Sequence, residues 1–209
     1  MVYFTAKLTI IPLVKLWVSK VNGIENMPKK GAFIIAANHS SYMDHLIIAS
    51  YIILHLNRKV HFLAKKEHFD NIFKKLWHTY AGAIPLDRQS GGRETLRWAI
   101  NALNEGRVIA IHPEGTRSLT GNLQKAKTGI ARLALLSKAH VLPIGLIGTF
   151  EILPKGKYIP KAKKAIMNIG KPMYFEKYYN KKINKKILRE VTTKIMKEIA
   201  KLSKQKYNY

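Results

Sequence analysis

A histidine and an aspartate five residues apart are the first candidates for chemistry in this sequence. His39 and Asp44 follow the apolar run at 33–37, which is typical of a buried strand. A histidine acts as a general base near neutral pH when a carboxylate orients its ring and stabilises the imidazolium. One continuous helix would point the two side chains about 140° apart. We therefore expect His39 in the loop after the strand and Asp44 in the first turn of the next helix, where a carboxylate can also simply favour the helix start.

Alternating strand and helix patterns surround this pair. The patterns predict strands at 32–37, 60–64, 81–86, 108–111, 141–147 and 165–169, with helices at 44–56, 66–80, 92–105 and 126–138. This alternation indicates an α/β fold with a mostly parallel central sheet flanked by helices. We predict a single domain over 23–209 that includes a basic amphipathic helix at about 183–205.

Two more predicted strands end in polar clusters, at Arg88 and in the turn from His112 to Ser118. The carboxyl ends of parallel strands meet at one edge of a sheet, so these clusters and His39 are expected to line one groove. Arginine fits a phosphate with two hydrogen bonds, and glycine lets backbone N–H groups approach an anion. The candidate anion ligands are Arg88, Gly115, Thr116 and Arg117. Glu114 would repel a phosphate, and it would instead clamp an arginine or bond a substrate hydroxyl.

The composition is strongly basic and lacks cysteine. The 37 Lys and Arg against 12 Asp and Glu give a net charge of +25, with 17 basic and 3 acidic residues from Lys155 onward. Such an excess indicates an anionic partner, which can be nucleic acid, anionic lipid or a phosphorylated substrate. Zinc-finger spacing, a basic region with heptads and RNA-recognition motifs are missing from the sequence, so no nucleic-acid partner is predicted. The lack of cysteine excludes disulfides and thiolate metal sites, and no metal site is predicted.

Residues 1–22 form an apolar segment interrupted by lysines and containing Trp17 and Pro12. A transmembrane span needs about 20 mostly apolar residues, which this segment does not provide. The pattern predicts an N-terminal helix lying in the membrane interface, with its lysines reaching toward the headgroups. A helix packed on the domain is the alternative.

Four sequence blocks, in order, resemble the glycerolipid acyltransferases, the 1-acylglycerol-3-phosphate acyltransferase (PlsC-like) family. The first is N-H-x4-D at Asn38–Asp44, and P-E-G-T-R-S at 113–118 matches in every residue. Between them, 82–88 resembles G-x-I-x-x-D-R, and 141–144 resembles an apolar strand with an embedded proline. The blocks lie within roughly residues 30–150. The sequence departs from the pattern at Pro85 and His112, where the family often has phenylalanine.

The resemblance implies acyl transfer to a glycerolipid hydroxyl, for which lysophosphatidate is the preferred acceptor. His39 would be the base and Asp44 its partner, while the cluster from Glu114 to Arg117, with Arg88 and Lys127, would hold the acceptor phosphate. The donor would be acyl-CoA, acyl carrier protein or an acyl phosphate, with no resident cofactor. The protein would act at the cell membrane, as a peripheral or monotopic protein on the cytoplasmic face, in contact with anionic lipids. Other phosphorylated or glycolipid acceptors, a hydrolase and a non-catalytic lipid-binding protein remain alternatives.

Overall fold

Strands and helices alternate along most of the chain in the computed structural model, which describes residues 3–65, 69–80, 82–86 and 92–209. The helices are α1 (Phe4–Leu8), α2 (Ile10–Lys15), α3 (Met43–Leu56), α4 (Ile72–Tyr80), α5 (Arg93–Asn104), α6 (Gly129–Ser137), α7 (Thr149–Ile152) and α8 (Lys185–Leu202). The strands are β1 (Val18–Asn22), β2 (Phe33–Ala37), β3 (Val60–Lys65), β4 (Ile84–Leu86), β5 (Val108–Ile111), β6 (Val141–Ile147) and β7 (Ala165–Ile169). The predicted basic C-terminal helix is α8, and the Asn184 side chain caps it by accepting the N–H of Ile187 at 2.9 Å.

The strands form one sheet in the order β1-β7-β6-β2-β5-β3-β4. Strand β2 lies at its centre and pairs in parallel with β5 on one side and β6 on the other. Strands β3 and β4 extend the parallel part, whereas β7 runs antiparallel to β6 and pairs in parallel with β1. The prediction of a mostly parallel sheet is therefore confirmed.

Helices cover both faces of the sheet, as the buried apolar runs of its strands require. Ile34 and Ala36 of β2 belong to the core shared with α5, α6 and α8. The alternate residues Phe33 and Ile35 belong to the core shared with α2 and α3. At Gly145 a Cβ atom would lie 2.3 Å from the main-chain carbon of Leu202, so only glycine lets α8 pack this closely on β6. The sheet is thus the middle layer of three.

The N-terminal segment differs from the single interfacial helix predicted for residues 1–22. It contains the two short helices α1 and α2 and then β1, which pairs with β7 at the edge of the sheet. Proline in a helix interior clashes with the carbonyl four residues earlier. A break at Thr9 places Pro12 in the first turn of α2, where no such clash arises. The segment is therefore part of the fold, and its last strand extends the sheet of the predicted domain.

Helix α4 presents its apolar side chains to solvent. It begins at Ile72 and not at residue 66 as predicted, and residues 66–68 lie outside the described part of the chain. Ile72, Phe73 and Leu76 are 62, 78 and 62% exposed. Their exposure shows that this apolar face of α4 is not part of the core.

Candidate active site

The loops that follow three parallel strands meet at one edge of the sheet. In the register of β2 with its neighbours, Ala36 pairs with Ile111 and Ala37 with Ile144. The loop after β2 carries His39, and β5 is followed directly by His112. The parallel pairing of these strands thus brings together segments that lie more than 70 residues apart in sequence.

His39 and Asp44 form a hydrogen-bonded pair, as their spacing predicted. The Nδ1 atom of His39 lies 2.8 Å from Oδ2 of Asp44, and Asp44 is in the first turn of α3. The same oxygen accepts the backbone N–H groups of Ser40 and Ser41, each at 2.8 Å. Asp44 is fully buried, and its Oδ1 has no hydrogen-bond partner among the described residues. A carboxylate only accepts, so Nδ1 of His39 donates and the lone pair remains on Nε2.

The surroundings keep His39 neutral. Burial lowers the pKa of His39, and the charges of His45 and Arg117 lower it further. Burial raises the pKa of Asp44, against which nearby histidines and the backbone N–H of Ser41 act in the opposite direction. A neutral imidazole with a free Nε2 lone pair is the protonation state that a general base requires.

Several main-chain bonds hold the His39 loop in place. The Asn38 side chain donates to the carbonyl of Leu146 at 2.9 Å and accepts the N–H of Leu146 at 2.7 Å. The carbonyl of His39 accepts the N–H of Ser118 at 2.8 Å. These contacts tie the loop to β6 and to the turn after β5, so the base is fixed from both sides.

Glu114 has protein partners on both carboxylate oxygens, which differs from the predicted acceptor-binding role. Oε1 accepts the N–H of His39 at 2.7 Å, and Oε2 accepts the N–H of Gln124 at 2.8 Å. The side chain is buried, and burial raises the pKa of Glu114 to about 7. The repulsion between a carboxylate and a phosphate makes this inward orientation favourable. Glu114 therefore positions the loop of the base.

Arg117 is the cation best placed for an anionic substrate. Its guanidinium carbon lies 3.6 Å from the centre of the Tyr42 ring, which is a cation–π contact. Its Nη1 atom is buried and has no hydrogen-bond partner within the described residues. A buried donor without a partner costs free energy, which a bound phosphate oxygen would recover.

The other predicted phosphate ligands divide into three groups. Gly115 has a positive φ of 74°, and a Cβ there would lie 3.2 Å from side-chain carbons of Lys127. The structure therefore brings Lys127 against the Gly115 turn, with its side chain exposed. Thr116 is exposed, and its carbonyl accepts the side-chain N–H of Gln124 at 3.0 Å. Arg88 lies outside the described residues.

Sequence reasoning missed the supporting groups of this site. Asn38 was read only as part of a motif, although its two main-chain bonds set the loop. The Tyr42 ring packs against the guanidinium of Arg117. The ring centres of His45 and His112 lie 5.5 and 3.9 Å from the ring centre of His39. The substitution of His112 for phenylalanine was the one available signal of this ring cluster.

The serine hydroxyls next to the base are bonded elsewhere. Ser40 Oγ lies 3.1 Å from the hydroxyl of Thr149, and Ser41 Oγ donates to the carbonyl of Leu153 at 2.8 Å. Both serines are buried. Neither serine is therefore poised as a nucleophile for the His39 imidazole, and an imidazole base can also act directly on a group of the substrate. The fold and the site thus define an α/β protein whose His39 imidazole is placed so that it can deprotonate a substrate hydroxyl or a water molecule.

Comparison with known proteins identifies the class. The acyltransferase family model matches residues 18–147. A 1-acyl-sn-glycerol-3-phosphate acyltransferase of Bacillus subtilis is 31% identical over 155 residues, 74% of this chain and 73% of that protein. One from Borreliella burgdorferi is 31% identical over 167 residues, 77% of this chain and 62% of that protein. The chain belongs to the acyltransferase family, which confirms the resemblance seen in its motifs.

A solved structure agrees with this assignment. The crystal structure of the 1-acyl-sn-glycerophosphate acyltransferase PlsC from Thermotoga maritima superimposes with a TM-score of 0.69 at 25% identity. The match covers 98% of this chain and 84% of that chain. The fold class is therefore confirmed, with the N-terminal segment included in the matched part.

Proposed function

We propose that this O-acyltransferase transfers a fatty acyl chain from an acyl thioester to the free hydroxyl of lysophosphatidate, which gives phosphatidate. The observation that carries the proposal is the neutral His39 imidazole together with the buried Nη1 of Arg117, which has no hydrogen-bond partner among the described residues and whose charge acts on His39. The base suits a hydroxyl group, and the arginine suits a phosphate on the same acceptor. The names of the Bacillus and Borreliella relatives support the same acceptor.

In the proposed reaction the acceptor oxygen attacks the thioester carbonyl directly. His39 Nε2 takes the hydroxyl proton as the new C–O bond forms, and Asp44 stabilises the imidazolium. When the intermediate collapses, the C–S bond breaks and His39 returns the proton to the leaving thiolate. Arg117, with Lys127 and the Gly115 turn, holds the acceptor phosphate, while Glu114 keeps the His39 loop in place. Acyl-CoA and acyl carrier protein are the candidate thioester donors. With an acyl phosphate as donor, the bond between the acyl carbon and the phosphate oxygen would break instead, and phosphate would leave.

The substrates are lipids, and we infer that the protein works at the cytoplasmic face of the cell membrane, bound to anionic lipids. Exposed apolar side chains occur on α1, on α2 and the residue after it, and on α4: Phe4, Leu8, Leu13, Leu16, Ile72, Phe73 and Leu76. Helices α1 and α4 are in contact, because Tyr3, just before α1, donates to the carbonyl of Tyr80 at 2.6 Å and the Thr5 hydroxyl lies 3.2 Å from that of Tyr80. Within the described residues, no helix is both long and apolar enough to cross a bilayer. The exposed apolar side chains support attachment at the membrane surface.

A substrate panel tests the proposal. Purified protein in vesicles receives an acyl-CoA, an acyl carrier protein thioester or an acyl phosphate, with lysophosphatidate, glycerol-3-phosphate or an uncharged lysolipid as acceptor. We expect lysophosphatidate to be acylated to phosphatidate faster than the other acceptors are acylated. The rate of the His39→Ala variant should be about 100- to 10,000-fold lower than that of the wild type. The His55→Ala variant, at the exposed end of α3, serves as the matched control.

Two results would contradict the proposal. Equal rates for His39→Ala and the wild type would exclude His39 as the base. Thioester hydrolysis without any ester product would instead assign the site to a hydrolase, with water in place of the acceptor.

A further inference from the structure

Three histidines converge at the proposed base. His39 follows β2, His112 follows β5, and His45 lies in the first turn of α3. One ring nitrogen from each lies within 4.8 Å of the other two. The rings of His39 and His112 are stacked 3.9 Å apart with an angle of 9° between their planes. The phenylalanine common in the family at position 112 cannot offer such a nitrogen, so the cluster goes beyond what the base needs.

Hydrogen bonds fix the tautomers of two of these rings. His39 Nδ1 donates to Asp44, and His112 Nδ1 donates to the carbonyls of Ala37 at 3.0 Å and Asn38 at 3.1 Å. In each ring the lone pair is therefore on Nε2. Nε2 of His112 is also buried and has no hydrogen-bond partner within the described ranges. Metal-binding histidines are oriented in this way, with the other ring nitrogen donating to a carboxylate or a backbone carbonyl.

We propose that His39, His45 and His112 form a binding site for a divalent transition-metal ion of the Zn²⁺ class. Neutral imidazoles suit this class, and three of them leave one tetrahedral position for water. Zinc–nitrogen bonds of about 2.0–2.1 Å place tetrahedral ligands roughly 3.4 Å apart. Nitrogens that lie within 4.8 Å of one another must therefore approach by up to about 1.4 Å. The stacked rings of His39 and His112 must also turn so that both lone pairs point at one ion. The negative charge of Asp44, which is hydrogen-bonded to His39, favours a bound cation, whereas the positive charge of Arg117 disfavours it.

The bound cation would occupy the lone pair that His39 uses as a base. Zn²⁺ would therefore act as a reversible inhibitor of the enzyme rather than as its cofactor. The binding site itself does not depend on the proposed acyl transfer, whereas the inhibition rests on it. A binding measurement and an activity measurement therefore separate the two claims.

Zinc titration calorimetry on untagged, chelator-treated and dialysed protein tests the site. We expect one Zn²⁺ per chain, with affinity at least about tenfold lower in His45→Phe and in His112→Phe, because even an outer-shell partner of a zinc ligand is worth that much. His55→Phe, on the same helix as His45, should bind as the wild type does. Circular dichroism shows whether each variant is folded. If His112→Phe does not fold, the zinc affinity of His45→Phe alone tests the site.

Unchanged zinc affinity in the folded His45→Phe variant, or no stoichiometric uptake by the wild type, would overturn the site. Where phosphatidate synthesis is measurable, Zn²⁺ should inhibit the wild type, a chelator should restore its rate, and His45→Phe should resist. Stoichiometric binding that depends on His45 but leaves acyl transfer unaffected would keep the metal site and remove His39 from the role of base.

Discussion

At the scale of single residues, Arg117 should determine how tightly the acceptor binds. Its Nη1 has no hydrogen-bond partner among the residues that the structure describes, and its contact with Tyr42 fixes the guanidinium, so both features prepare it for a phosphate before substrate arrives. A hydrogen bond to a charged group contributes about 1.5–3 kcal/mol. We therefore expect Arg117→Ala to raise the KM for lysophosphatidate about 10- to 100-fold with a smaller change in kcat. Steady-state kinetics with Arg132→Ala, an exposed arginine on α6, controls for net charge. An unchanged acceptor KM would exclude the phosphate role.

Glu114 should make the stability of the fold depend on pH. Its pKa rises from 4.5 in the unfolded chain to about 7 in the folded protein, chiefly by burial. The folded state therefore binds the proton more tightly. This contribution to stability is fully present below pH 4.5 and is lost as the pH rises through about 7. The shift corresponds to about 3 kcal/mol in the free energy of unfolding.

Urea unfolding of Glu114→Gln between pH 4 and pH 8 measures this effect, with a chelator present so that no cation binds. The variant should show a weaker loss of stability with rising pH than the wild type. Glu151→Gln, at an exposed position, should follow the wild type. If the free energy of unfolding had the same pH dependence in Glu114→Gln and the wild type, the buried carboxylate would not be the cause.

The pairing of His39 with Asp44 could be predicted from the sequence, but the hydrogen-bond partners of the side chains around them could not. The spacing of His39 and Asp44 implied a loop and a helix start, and the pair is bonded at 2.8 Å. The orientation of Glu114 depends on the N–H groups of His39 and Gln124, which are 75 and 10 residues away. The loops that meet at the sheet edge determine such partners, and sequence spacing does not contain this information.

At the scale of elements, the link between the His39 loop and β6 should be needed for both stability and rate. Asn38 makes two bonds with the main chain of Leu146, and all four groups are buried. Removing the side chain leaves a buried N–H and a buried C=O without partners, at about 1–3 kcal/mol each. We expect Asn38→Ala to lower the free energy of unfolding by about 2–4 kcal/mol and to lower kcat. Denaturant unfolding and initial rates test this, with the exposed Asn101→Ala on α5 as control. Wild-type stability in Asn38→Ala would show that the loop does not need β6.

The central elements followed the sequence patterns more closely than the N-terminal ones. Strand β2 is buried along its whole length, so a continuous apolar run was sufficient to predict it. The segment from Val18 to Asn22 alternates less clearly and becomes a strand because β7 is available as a parallel partner. A pairing across about 146 residues is a tertiary effect, which the local apolar pattern could not reveal.

At the scale of the whole molecule, the distribution of apolar surface follows the two faces of the sheet. Helices α1 and α2 lie on the side of α3, whereas α6 and α8 pack on the opposite face. The exposed residues of α1, α2 and α4 include Leu8 and Phe73, at 66 and 78% exposure. The net charge of +25 adds attraction to anionic headgroups. The membrane-binding role proposed for this surface can be measured directly.

Substitutions in this surface should weaken binding to vesicles without changing the fold. Each large apolar side chain that enters the membrane contributes about 1.5–3 kcal/mol, so Leu8→Ser and Phe73→Ser should each lower vesicle affinity roughly tenfold or more. Leu136→Ser, on α6 at the opposite face, is the matched control and should bind as the wild type does. Cosedimentation with anionic and neutral vesicles, at low and high salt, separates the apolar from the electrostatic contribution. If Leu136→Ser weakened vesicle binding as much as Phe73→Ser, the membrane would not contact the protein specifically through the α4 face. The exposed apolar side chains of α4 would then require another explanation.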